Sequence, residues 1–367
     1  MLQMQSTVTA DGHAELAVAE VAEPAPGPAE VLIRVEAAPI NPSDLGLLFS
    51  GADMTRAEAI EGGVRAEIPA EAQAMIGPRI GRSLPCGNEG AGVVVGAGDD
   101  LAAQALLGKT VATWGGAMYS QLKVSRADQC LVLHDGTTPA EGASCFVNPL
   151  TVLGMIGTMR LEGHTALAHT AAASNLGQML QKVCTNEGIP LVNIVRREEH
   201  VDLLRGIGAT HVVNSSADSF ADDLTAALKD TGATLAFDAT GGGRLAGQLL
   251  ASMEAALAGA GAAGNRYGTA THKQVYIYGG LERGPTVLDR AFGMAWGLGG
   301  WLLPIFLDRV GPEESEKLRQ RVADEIKTTF ASSYSKVVSL TGAVSLEAVA
   351  DYGRMATGEK YLINPQS

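Results

Sequence analysis

The chain has 367 residues, of which 46% are hydrophobic and 18% charged, a length and composition that suit two domains with a core in each. Its 27 Lys and Arg stand against 40 Asp and Glu, a formal charge of −13. That balance argues against nucleic acid or an anionic membrane as a main partner. Four scattered cysteines, Cys86, Cys130, Cys145 and Cys184, form no C-x-x-C pair and no Cys/His group with zinc spacing. Reduced thiols in a cytoplasmic protein and no metal site are expected. The opening MLQMQSTVTADGHAEL has no basic segment followed by an apolar run, so no signal peptide is expected.

The first 150 residues read as a β-rich, barrel-like domain. A Pro/Gly-rich turn, Pro24 to Pro28, precedes a strand at Val31 to Ala37. Short β runs follow at Ala91 to Val95 and Thr110 to Thr113, punctuated by glycines at 87, 90, 92, 96, 98 and 108. Residues 52–82 are polar and alanine-rich without clear strands, which suggests an excursion or a partly helical flap. From about residue 151 the period changes. Strands expected at 165–170, 191–195, 210–213, 234–238 and 274–278 alternate with helices, the pattern of a parallel, doubly wound sheet. The uncharged stretch Ala291 to Leu307 sits at the short limit of a membrane span, but five helix-breaking positions, Gly293, Gly297, Gly299, Gly300 and Pro304, argue for a buried helix, a pocket wall or a subunit contact. A charged helix is expected from Glu313 to Phe330, and a final strand in GEKYLINP.

Residues 165–197 carry the most chemistry. An apolar strand, Thr165 to Thr170, leads into a turn, Ala171 to Gly177, that contains nothing larger than Asn175 and Leu176. A helix begins there, and its free N–H groups and positive dipole end suit a pyrophosphate. A second strand, Leu191 to Val195, ends at Arg196 and Arg197. In a nucleotide-binding βαβ unit an acid at that point binds the ribose 2′-OH of NAD, whereas arginine accommodates the 2′-phosphate of NADP. The expected cofactor is therefore NADPH/NADP, with Ala172, Ser174, Asn175, Leu176 and Gly177 around the pyrophosphate and Arg196 and Arg197 on the 2′-phosphate. His200 stands near enough in sequence to assist. His169 reads as a core residue, and His272 and Lys273 as surface residues. No Ser-His-Asp pattern or nucleophile elbow supports hydrolase chemistry.

The motifs PAPGPAEVLIRVEAAPINPSD (24–44), GNEGAGVVVGAG (87–98), GKTVAT (108–113), FVNPLTVLGMI (146–156), FDATGGG (237–243) and VYIYGGL (275–281) occur in one order along the chain. In these the chain resembles the medium-chain dehydrogenase/reductase superfamily, in its zinc-independent quinone oxidoreductase and 2-enoyl reductase branch. The resemblance implies a doubly wound Rossmann domain, 151–311, and a GroES-like catalytic domain, 1–150 plus 312–367, in a homodimer. It implies further cofactor contacts at Thr151, Asn214, Thr240, Gly241, Tyr278, Gly279 and Gly280. Lys360 corresponds to a basic residue near the pyrophosphate and is expected close to Asp44 or Glu89. Zinc enzymes of the superfamily carry a Cys within the segment Asn41-Pro42-Ser43-Asp44 and a His where Asn88 stands, so zinc-dependent alcohol oxidation is not expected. The tyrosine that many relatives carry shortly after N-x-x-D is absent from Leu45 to Phe49. Asn41 becomes the first catalytic candidate, with Tyr119 and Tyr334 as candidate proton donors. The implied reaction is hydride transfer to a quinone or α,β-unsaturated carbonyl. A 2-enoyl-thioester reductase and a non-catalytic NADPH-binding scaffold or sensor are the alternatives.

Overall fold

The computed structural model of the chain describes residues 1–258, 266–358 and 360–367, with the backbone alone for 73–75. It divides into two compact units, Met1–Val147 with Arg319–Ser367, and Asn148–Leu318. Glu359, within the expected GEKYLINP strand, lies outside the described residues, and the strand itself runs Tyr361–Ile363.

The first unit is β-rich. Its central strand, Glu30–Pro39, alternates over its first eight residues: Val31, Ile33, Val35 and Ala37 are at most 1% exposed, so one face of the pleat is core. It pairs antiparallel with Glu89–Ala97, Leu122–Arg126 and Tyr361–Ile363, which ties the C-terminal segment into the same sheet. Gly92 lies where a Cβ would sit 2.0 Å from the Arg34 carbonyl oxygen, so only glycine lets these strands close.

A second, five-stranded sheet corrects the reading of residues 52–82. Gly63–Glu67 pairs antiparallel with His13–Glu20, and Glu58–Ile60 adds to its edge. Val64 and Ala66 point inward while Gly63, Arg65 and Glu67 do not. Five residues are too few for that alternation to stand out of a polar stretch. The helix in this segment is short, Ala70–Ile76.

The second unit is a six-stranded parallel sheet: β1 (Leu167–Thr170), β2 (Leu191–Val195), β3 (His211–Asn214), β4 (Leu235–Asp238), β5 (Lys273–Ile277) and β6 (Trp296–Gly300), in spatial order β3-β2-β1-β4-β5-β6. β1, β2 and β4 are buried at every position, as expected of strands covered by helices on both faces. Order reverses between β1 and β4, whose carboxyl ends bound the crevice where open α/β sheets bind ligands.

β6 corrects the buried-helix alternative for 291–307, while Gly300, Trp301, Leu302 and Ile305 line a cavity. The glycines that spoil a helix allow a strand that hydrogen-bonds in parallel to β5, and a helix begins only at Leu303. That helix runs Leu303–Glu325 and is interrupted at Gly311, φ +83°, just before Pro312, so the expected start at Glu313 falls after the break. Among the described residues one helical segment, 139–161, is long and apolar enough to cross a membrane, and 89% of its apolar window is buried inside the protein, as in a core helix.

Lys273 also departs from expectation. Its side chain is fully buried, and its ammonium donates to Glu254 Oε2 (2.6 Å), Thr271 O (3.1 Å) and Thr269 Oγ1 (3.2 Å). Burial pushes the Glu254 carboxyl up, but hydrogen bonds from Lys273 and Thr269 outweigh it and hold it below its ordinary 4.5. Lys273→Met leaves that carboxylate only its two hydrogen bonds from Thr269 and should cost about 3 kcal/mol, the low end of the range for breaking a buried pair. Urea unfolding followed by tryptophan fluorescence, with Trp296 and Trp301 in the same unit, reads this out. A carboxyl held low in the folded state contributes stability above its unfolded pKa and loses it on acidification. The gap between wild type and variant should therefore close as pH falls below 4.5.

Candidate functional site

The turn after β1 is built for close approach. Ala171 adopts φ +52°, left-handed backbone that glycine usually supplies. Ser174 caps helix α1 (Asn175–Glu187), its Oγ accepting the Gly177 N–H at 3.1 Å. A Cβ on Gly177 would lie 2.2 Å from the Ala172 carbonyl oxygen, so the helix start rests directly on the turn backbone. Ala172 and Gly177 are buried, while Ser174, Asn175 and Leu176 are half-buried.

At the end of β2, Arg196 and Arg197 are both exposed. Arg197 pairs with Glu199 at 3.1 Å on the open surface. Among the described residues Arg196 has no hydrogen bond or ion pair. Asn214, at the end of β3, donates to Glu198 Oε2 at 3.3 Å and accepts from the Ser216 N–H. His200 is half-buried, 3.9 Å from Glu199.

Sequence reasoning missed the clamp across the strand reversal. Asp238, fully buried, accepts from Thr170 Oγ1, Thr240 N and Gly241 N at 2.8, 2.8 and 3.2 Å. Thr170 Oγ1 in turn accepts from Ala239 N. This ties the carboxyl ends of β1 and β4 together and shapes the turn that carries Thr240 and Gly241 (φ +77°). The available signal was the acid-then-small-residue pattern FDATGGG, but a short strand ending in Asp does not reveal its cross-strand partner.

The carboxyl ends of β5 and β6 frame a cavity of ≈ 370 Å³ that Tyr278 and Gly279 line, and Gly280 follows exposed. Tyr278 Oη lies 2.7 Å from Nε2 of the fully buried His169, and the two rings stack at 5.7 Å. Burial lowers His169 to about 3, so the imidazole is neutral. Thr151 is buried on the helix Val147–Leu161.

The first unit holds a separate buried polar cluster. Asn41, 1% exposed, donates from Nδ2 to Glu89 Oε1 at 2.8 Å. Glu89 Oε2 accepts two backbone N–H groups, Phe146 and Val147, both at 2.8 Å. Asp44 accepts from the Asn41 and Asn88 backbones at 2.8 and 2.9 Å. Burial pushes Asp44 up to about 7 and raises Glu89 as well. Lys360 faces both acids electrostatically, donates to Ser144 Oγ at 2.7 Å, and is lowered by burial to about 8.

Two tyrosines separate here. Tyr119 is fully buried, donates to Pro39 O at 2.9 Å and faces the Asp44 carboxyl. Tyr334 is half-buried, and its hydroxyl lies 3.0 Å from Ser144 Oγ. A larger open cavity, ≈ 520 Å³ beside Arg34 and Glu36, brings together no candidate residue.

No protein-family model matches the chain. A mitochondrial enoyl-[acyl-carrier-protein] reductase of Xenopus tropicalis is 28% identical over 194 residues, 51% of this chain and 49% of that protein. A synaptic vesicle membrane protein VAT-1 homolog of Rattus norvegicus is 26% identical over 224 residues, 60% of this chain and 48% of that protein. The chain thus spans about half the length of these curated relatives. Among solved structures, a protein of Mesorhizobium loti provisionally described as an NADPH:quinone reductase is similar at TM-score 0.72 and 27% identity, over 95% of this chain and 91% of that one.

Proposed function

We propose that the chain, which resembles the zinc-independent quinone oxidoreductase and 2-enoyl reductase branch of the medium-chain dehydrogenase/reductases in motifs and in fold, is an NADPH-dependent reductase of quinones or α,β-unsaturated carbonyls. The observation that carries the reading is Arg196, without a partner among the described residues, at the end of β2 in a β3-β2-β1-β4-β5-β6 sheet whose order reverses at a small-residue turn. The residues fit a dinucleotide. Gly177 packs without a side chain against Ala172, Ser174 takes one N–H of the first turn of α1, and the remaining N–H groups of that turn suit a pyrophosphate. Arg196 and Arg197 would hold the 2′-phosphate, and Thr240, Gly241, Tyr278 and Gly279 would border the nicotinamide.

When bound, NADPH would supply a hydride. The chain's own part is to position the acceptor and stabilise the negative charge that develops on its oxygen. No metal is invoked, because Asn41 to Asp44 and Asn88 offer neither the Cys nor the His that a catalytic zinc of this superfamily uses. The Mesorhizobium loti neighbour favours quinones, and the Xenopus tropicalis relative favours enoyl thioesters. NADPH oxidation at 340 nm with quinones, enones and enoyl thioesters separates them. Turnover with quinones or enones is expected, and turnover confined to thioesters moves the assignment. NADPH binding without consumption by any acceptor would make the chain a scaffold. A homodimer belongs to the same reading, and light scattering of the purified chain tests it.

A further inference from the structure

The cavity at the ends of β5 and β6 is walled by apolar groups: Ile277, Gly300, Trp301, Leu302 and Ile305 surround Tyr278. Two of these side chains carry polar atoms. The Trp301 indole N–H is spent on Thr158 Oγ1 at 2.9 Å, and Trp301 packs edge-on against Phe237. The Tyr278 hydroxyl is therefore the side-chain polar group on this wall whose use is open.

His169 decides that use. It is fully buried, its Nε2 lies 2.7 Å from Tyr278 Oη, and its Nδ1 has no partner among the described residues. A neutral imidazole carries one proton. If Tyr278 donated to Nε2, that proton would sit on Nδ1 as a buried donor without an acceptor. If Nε2–H donates to Tyr278, Nδ1 keeps only a bare lone pair, and the phenolic proton is free for an acceptor in the cavity that Tyr278 lines. Orphaned buried donors are rarer than under-used acceptors, so the second arrangement costs less. A hydrogen bond received on its oxygen also makes the phenol a stronger donor.

We propose that Tyr278, its oxygen held by His169 Nε2–H, donates its own O–H to the carbonyl oxygen of an acceptor seated in this cavity. The proposal rests on the reductase reading and assigns the group that meets the developing charge. Hydride addition brings two electrons to the acceptor's carbon framework and leaves the negative charge on its oxygen. Tyr278 stabilises that oxygen without surrendering its proton, and a solvent proton completes the product. Burial and the neighbouring Asp238, the charged group that faces it, push the phenol far above its ordinary value, consistent with a donor that stays protonated. Tyr278 is thus the catalytic residue and His169 its positioning residue.

Two measurements test this. In the NADPH-free chain labelled with ¹⁵N-histidine, long-range ¹H–¹⁵N spectra should show His169 protonated at Nε2. Protonation at Nδ1 overturns the proposal whatever the enzyme does. In turnover, Tyr278→Phe should lower kcat roughly a hundredfold, the scale of one oxyanion donor, while the NADPH Kd stays within about threefold. His169→Leu should lower kcat roughly tenfold, and His169→Gln, whose amide N–H can replace the imidazole donor, should recover most of it. An unchanged kcat in Tyr278→Phe overturns the proposal. Absence of turnover by the wild type with every carbonyl acceptor overturns the reductase reading and the carbonyl ligand with it, while the tautomer is still read independently.

Discussion

Replacing Arg196 and Arg197 together with serine is expected to raise the KM for NADPH roughly a hundredfold while that for NADH stays within about twofold. The two arginines should not contribute equally. Arg197 already shares an exposed ion pair with Glu199, so part of what it gains from a phosphate is offset by the contact it leaves. Arg196 has no competing partner among the described residues and should account for most of the effect. Arg196→Ser alone is expected to give roughly tenfold or more, and Arg197→Ser clearly less. The contribution is electrostatic and exposed, so it should shrink between low and high salt. Steady-state kinetics with both cofactors at two ionic strengths measures all of this. Equal losses for NADPH and NADH would mean that the arginines serve the fold or the pyrophosphate, and the assignment to the 2′-phosphate would fail.

The parallel sheet was legible because its signal is redundant. Leu191–Val195 is buried throughout and apolar except at Asn193, and it is followed by an amphipathic helix. The turn and the arginines were legible because spacing along one βαβ unit fixes them. Where the chain departs from expectation, the cause is local sequence that supports two answers. Glycines at 297, 299 and 300 exclude a helix but say little for a strand, and β6 exists because β5 offers it an edge. Gly63–Glu67 is a strand through its pairing with His13–Glu20 rather than through its propensity. Long-range polar pairs were out of reach for the same reason. The 68 residues from Thr170 to Asp238 and the 109 from His169 to Tyr278 are closed by the strand order, and no local pattern announces them.

The same logic makes Gly177 the most sensitive single position in the nucleotide turn. The turn lacks glycine at Ala171 and Ser174, so close packing between turn and helix falls on Gly177. An added Cβ would meet Ala172 O, C and Cα at 2.2, 2.6 and 2.7 Å, all backbone atoms that no rotamer change can move aside. Gly177→Ala must therefore push α1 away from the turn. It would also disturb the Ser174 cap, whose acceptor takes the Gly177 N–H. The overpacking should cost about 1–3 kcal/mol of stability. NADPH affinity should fall more than tenfold, since a pyrophosphate needs the helix N–H groups held at hydrogen-bond distance. Gly206→Ala provides the matched control in the same unit. Gly206 lies in a helix without positive φ and has nothing within 4 Å of an added Cβ, so alanine there should be neutral or stabilising by about 0.4–1 kcal/mol. Calorimetric titration of NADPH and urea unfolding of both variants give the comparison. A Gly177→Ala protein that binds NADPH as wild type does would mean that the dinucleotide does not rest on this turn.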